Sequence, residues 1–115
     1  MRATATRLIL AICLAAIAAP AAAREWVTLY YRLGEGGHWI DRTSIRRAGD
    51  LVYFDATPWL ARGDYPDETT PATTQAYDCR TRKLYTVRDG AAADEAELPR
   101  DRVVAYDAVL CASGA

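Results

Sequence analysis

The sequence predicts a small exported domain organised on an antiparallel β-sheet, with its last segment tied down by one disulfide. Three observations carry this. The chain opens with a secretory leader, and the remainder is a series of short alternating apolar and polar segments separated by glycine and proline. Only two cysteines, Cys79 and Cys111, remain once the leader is discounted.

The leader reads Met1-Arg2-Ala3-Thr4-Ala5-Thr6-Arg7, an apolar run from Leu8 to Ala19, then Pro20 and Ala21-Ala22-Ala23. Two arginines, an apolar run shorter than the ~20 residues of a spanning helix, and a small-x-small close are the marks of a cleaved signal peptide over residues 1–23. Cys13 follows Ile12 rather than a small residue, so it is read as part of the leader and not as a lipid anchor. One domain is expected over residues 24–115, with no stable membrane insertion after cleavage, in the periplasm or at the cell surface or beyond it. Discarding Arg2 and Arg7 from the 14 basic residues leaves 12 against 15 acidic ones. That balance, with Arg42, Arg46 and Arg47 or Arg80, Arg82 and Lys83 lying beside turns, argues against a nucleic-acid partner. Two cysteines in an oxidising compartment have a single connectivity, which joins Cys79 to Cys111.

From Trp26 to Leu33, Val27, Leu29, Tyr31 and Leu33 fall on one face of an extended strand and are expected to look into the core. Trp26, Thr28, Tyr30 and Arg32 fall on the other. Gly34-Glu35-Gly36-Gly37 then supplies a hairpin, and His38–Asp41 returns antiparallel. Asp41 is expected to cap a short helical turn over residues 42–45. After Ala48-Gly49-Asp50, the aromatic and β-branched run Leu51–Thr57 is a central strand that Pro58 stops. Residues 61–71 lack periodicity and concentrate turn formers, so they form a long surface loop. Thr73–Cys79 and Lys83–Arg88 make a hairpin across Arg80-Thr81-Arg82. Asp89-Gly90 stops the second arm, and Ala91–Glu97 is read as a mobile connection. The tail from Pro99 to Cys111 fits two patterns. A helix would take Asp101 as its cap and present Val103, Val104, Leu110 and Cys111, with Asp107 inside that face. A strand would group Val104, Tyr106, Ala108 and Leu110.

Several of these features occur together in one family. Trp26-Val27, Ile40-Asp41 followed by Ser44-Ile45, the Gly49 turn before an aromatic strand, Tyr77-Asp78-Cys79, and a proline-led tail ending in Cys111 together resemble the surface-adhesin protein E family of exported bacterial proteins. The family's tryptophan ahead of the tail proline has no counterpart between Ala91 and Leu98. The resemblance implies an α+β fold, a single small antiparallel sheet of about five strands with a C-terminal helix tethered by one disulfide. It also implies adhesion to a host matrix or serum protein.

Nothing in the chain points to catalysis. A nucleophile needs a positioned base, and the one histidine, His38, lies in the Gly-rich hairpin, where it reads as a solvated turn residue. Asp64, Asp67 and Glu68 match no ligand loop for calcium, and no carboxylate pair stands out for glycoside hydrolysis. No cofactor or metal is expected. Large aromatic side chains suit a protein interface, and Trp39, Trp59, Tyr30, Tyr53 and Tyr65 are candidates, whereas Trp26 reads as core. Trp59 and Tyr65 flank the long loop, which also carries Arg62-Gly63-Asp64, a tripeptide that integrins recognise and that recurs often by chance. Trp59, Arg62, Asp64 and Tyr65 are therefore the expected binding residues. The expected activity is that of a non-enzymatic binding module. The alternative is a periplasmic inhibitor of a lysozyme- or protease-type hydrolase that inserts residues 61–71 into the enzyme's cleft. An enzyme with an unrecognised carboxylate site is a third, weaker option.

Overall fold

The computed structural model describes residues 23–57 and 59–111. All of the expected leader but Ala23, and the stop assigned to Pro58, lie outside them. Among the described residues seven strands form one antiparallel sheet: β1 (Trp26–Arg32), β2 (Gly36–Ala48), β3 (Leu51–Ala56), β4 (Leu60–Ala61), β5 (Thr73–Asp78), β6 (Leu84–Arg88) and β7 (Ala91–Ala96). Their order is β1-β2-β3-β5-β6-β7, and β4 pairs with the start of β2. A helix, α1 (Arg100–Tyr106), runs on into a π-helical turn over Asp107–Cys111, and Cys79 is bonded to Cys111. The sheet, the C-terminal helix and the disulfide agree with the expected α+β fold, with two strands more than the about five expected.

Both extra strands have local causes. Asp89-Gly90 is not a stop but a two-residue hairpin turn: both residues have positive φ, 51° and 80°, and Arg88 pairs with Ala91 across it. The run Ala91–Glu97, expected as a mobile connection, is thereby folded back as β7, and the ion pairs Lys83–Glu95 and Arg88–Asp94 fasten it to β6. β4 continues the path of β3 past Thr57, whose N–H donates to the Trp39 carbonyl at 3.0 Å.

The helical turn expected at residues 42–45 is instead a bulge within a long β2. Four residues of β2 stand opposite Phe54 alone, between the Asp41↔Asp55 and Arg46↔Tyr53 pairs. Asp41 plays the part assigned to it in a different setting. Its Oδ1 accepts from the N–H groups of Thr43 (3.0 Å) and Glu25 (3.1 Å) and from the Thr43 hydroxyl (2.7 Å). Burial pushes this carboxyl up, but those hydrogen bonds and Arg24 together hold it below the usual carboxylate range. Ser44 Oγ accepts the N–H of Asp55 at 2.7 Å, replacing a ladder bond that the bulge removes. The turn at Arg80-Thr81-Arg82 holds without glycine: Asp78 Oδ1 accepts from the N–H groups of both Arg80 and Thr81, and Arg82 takes the positive φ of 60°.

A second bulge, between Thr28 and Tyr30, overturns the expected facing of β1. Leu29 stays buried, but the phase shifts after it. Tyr30 packs against the core, while Tyr31 and Leu33, expected inside, are 54% and 92% exposed. Trp26, read as core, is partly buried and hydrogen-bonded to a loop on the sheet's other face. We call the face that carries α1 inner and the opposite face outer.

The inner core is built from Leu29, Ile40, Val52, Phe54, Tyr77, Tyr106 and Leu110. Tyr106 stacks on Tyr77 (5.2 Å between centroids) and lies 6.1 Å from Phe54, and burial drives both tyrosine hydroxyls well above their ordinary range. The tail is a helix, with Tyr106 and Leu110 inward and Val104 65% exposed, so the expected helical face is rotated. Asp107 sits on the inward side because it is satisfied there: Tyr77 Oη donates to it at 2.7 Å and Arg82 Nε approaches at 3.2 Å. Asp101 is not the cap; that position belongs to Pro99, with no side-chain bond.

Candidate functional site

The end of the sheet formed by the β1–β2 hairpin depends on one glycine. Gly36 has φ 134°, and a Cβ on it would lie 1.9 Å from the Leu60 carbonyl oxygen. Only glycine lets β4 pair here, with Gly36 opposite Ala61 and Gly37 opposite Leu60. That pairing sends the chain before β4 to one face of the hairpin and the chain after it to the other.

On the inner face Tyr30 and His38 are cross-strand partners, their rings stacked at 5.2 Å. Trp59 lies 5.9 Å from the Tyr30 ring on the same side. Arg102, from α1, places its guanidinium 4.1 Å above the Tyr30 centroid and donates to Tyr30 Oη at 2.6 Å. The same hydroxyl lies 3.4 Å from His38 Nδ1. His38 is thus half-buried within β2 rather than a solvated turn residue, and its Nε2 is buried with no hydrogen-bond partner among the described residues. Burial first, and then the Arg102 charge, hold the imidazole below its ordinary range. Burial pushes the Tyr30 hydroxyl up, against the pull of Arg102 and Arg32.

On the outer face residues 62–72 cross β1 and β2 and are tied to them. Arg24 Nη1 donates to the Thr70 carbonyl, and Trp26 Nε1 donates to the Asp67 carbonyl at 3.0 Å. Asp67 Oδ1 accepts from the N–H (2.8 Å) and hydroxyl (2.6 Å) of Thr69. Tyr65 meets the Trp39 ring edge-on at 5.9 Å. Gly37 leaves room for two rings: a Cβ there would lie 3.1 Å from Trp39 Nε1 and 3.2 Å from Tyr31 Cδ2. Tyr31, Trp39 and Tyr65 therefore form a continuous aromatic strip.

Of the expected binding residues, Trp59 is 40% and Tyr65 77% exposed, at the same end of the sheet but on opposite faces. Trp59 contacts Tyr30, the cross-strand partner of His38, and Tyr65 contacts Trp39; His38 and Trp39 are consecutive residues of β2, so their side chains alternate. Arg62 and Asp64 are exposed in the turn that follows β4, closed by the Asp64 N–H donating to Ala61. Tyr31, Leu33 and Arg102 were missed. A β-bulge, which leaves no mark in residue alternation, hid the first two, and the tail's ambiguous period hid the third. Among the described residues, four of the five exposed large hydrophobic side chains, Tyr31, Leu33, Trp59 and Tyr65, gather at this end, and Val104 lies elsewhere.

No family model, curated protein or solved structure matches the chain. Among the described residues no three His, Cys, Asp or Glu side chains converge to hold a metal ion, and no helix is long and apolar enough to cross a membrane.

Proposed function

We propose that this protein is a non-enzymatic, exported binding module of the adhesin E type, and that the hairpin end of its sheet contacts a host matrix or serum protein. One observation carries this reading: Tyr31, Leu33, Trp59 and Tyr65 expose large apolar surface together, around a scaffold of fixed aromatic contacts. Aromatic side chains held in place by neighbours lose little entropy on binding, and such residues dominate interface energetics. Export rests on the leader, and the adhesin type on the residues that resemble that family.

The tethered loop favours a second reading. Residues 62–72 are fastened by Arg24, Trp26 and the Asp67 turn, so a loop presented to a hydrolase cleft would bind with little ordering cost. One experiment decides between them. The purified protein is immobilised and challenged with individual matrix and serum proteins, with lysozyme and with serine proteases. The adhesin reading expects a matrix or serum protein to bind, and Leu33→Ser with Trp59→Ala to weaken that binding at least tenfold. Tight binding to a hydrolase alone, lost on Tyr65→Ala, replaces it with the inhibitor reading. Binding indifferent to all three substitutions overturns the site.

A further inference from the structure

We propose that β1, one of the two edges of the sheet, recruits its partner by strand addition, taking an extended peptide that places an apolar side chain beside Val27 and a carboxylate against Arg102. This deepens the protein-binding reading and rests on it.

β1 ends the strand order, so the side of it away from β2 has no strand partner among the described residues. It is seven residues long, rich in aromatic and β-branched side chains, and contains neither proline nor lysine, two of the usual guards of an edge. Its bulge at Leu29 confines regular pairing to short stretches on either side, Trp26–Thr28 and Tyr30–Arg32. The edge has walls on both faces. On the inner face Val27 shares a cavity of about 280 Å³ with Arg42 and Ile45 of β2 and Ala108 and Val109 of the tail. Further along, on that same face, Arg102 lies over Tyr30. On the outer face the tethered loop stands over Trp26. An added strand would run about 4.8 Å from β1 and send every second side chain inward, first beside Val27 and then toward Arg102.

Charge selects the occupant. Arg32 ends this strand, Arg24 lies over its Trp26, Arg102 over its Tyr30, and Arg42 of β2 lines the cavity with its Val27. Arg32 is paired with Glu35 (3.2 Å) and Arg42 with Glu25 (3.6 Å). Arg102 has no carboxylate within ion-pair distance among the described residues; it is held only by Tyr30, with most of its donors unspent. The other edge, β7, offers nothing comparable: its side chains are alanines and two acids, Asp94 and Glu95, already paired with Arg88 and Lys83.

The test uses three probes on the full protein: the peptide acetyl-Thr-Val-Thr-Glu-Thr-Val-amide, its counterpart with lysine for glutamate, and a version of the first N-methylated at alternate residues. Binding is followed by calorimetry and by hydrogen exchange of the β1 amides. Strand addition expects the acidic peptide to bind and to protect β1 amides, the lysine peptide to bind at least tenfold more weakly, and N-methylation to abolish binding. Arg102→Gln should erase most of the preference for glutamate. Absence of binding by the acidic peptide, or binding unaffected by N-methylation, overturns the proposal, while the hairpin-end reading is judged separately by Leu33→Ser and Trp59→Ala against a whole protein partner. Concentration-dependent dimers that protect β1 amides without peptide also overturn it, because a second copy then occupies the edge.

Discussion

Replacing Cys79 and Cys111 together by serine should cost this protein a large part of its stability, chiefly through the unfolded state. The bond links positions 32 residues apart. In the chain-entropy treatment a loop of that length restricts the unfolded chain by about 12 cal/mol/K, or about 3.7 kcal/mol at 25 °C. The native contacts of the tail do not replace it. The Arg82–Asp107 pair is largely exposed on the arginine side and adds little, and the Tyr77–Asp107 bond is worth about 1–2 kcal/mol. Against the ~5 kcal/mol available to a domain of this size, the loss would leave the fold marginal. The assay is urea unfolding followed by tryptophan fluorescence, comparing the oxidised protein with the double variant. A loss of about 3–4 kcal/mol is expected, with a steeper denaturant slope because the uncrosslinked chain exposes more surface. A loss below about 1 kcal/mol at unchanged slope would mean that packing of Tyr106 and Leu110, and not the disulfide, holds the tail.

Other outcomes depend on particular side chains. Gly36→Ala places a methyl group 1.9 Å from the Leu60 carbonyl oxygen, so it should cost about 2 kcal/mol or more and detach β4, seen as a shift of Trp59 emission. Gly34→Ala, with φ 83° but open space, should cost only about 1 kcal/mol on the same assay. For His38, whose folded value is depressed, the unfolded chain takes the proton first. Stability is then full above about pH 6.5, falls by up to ~1.4 kcal/mol per unit below it, and levels off once the folded imidazole protonates. His38→Phe should flatten that part of the stability–pH curve. Asp41→Asn should cost about 1–3 kcal/mol above pH 4, because an amide oxygen serves the Thr43 and Glu25 N–H groups less well than a carboxylate. In the parent protein this stability should be lost as pH falls from about 3.9 through the depressed value of Asp41.

Strand positions were legible wherever turn chemistry or β-branching marks them, and the failures have specific causes. Asp89-Gly90 is among the strongest hairpin signals a sequence can carry, yet it reads as a stop because the alanines after it have low strand propensity; the turn and the ladder with β6 outweigh propensity there. The bulges at Leu29 and after Asp41 are invisible to period counting, since the extra residues, one in β1 and three in β2, change the phase without changing composition. Asp107 made the tail ambiguous because a carboxylate on a helix's inner face looks like an error until the Tyr77 hydroxyl, 30 residues away in sequence, is seen to satisfy it. The candidate site was half legible for the same reason. Trp59 and Tyr65 flank a loop and are found by position, whereas Arg102 joins the hairpin only through the packing of the tail.

The most direct test of the hairpin end as the contact surface is a hydrogen-exchange footprint of the protein with the first matrix, serum or hydrolase protein that binds it. Slowed exchange is expected across residues 30–37 and 59–65, with the exposed face of α1 around Val104 unchanged. Protection confined to α1 and the Arg82 turn, with residues 30–37 exchanging as in the free protein, would contradict it.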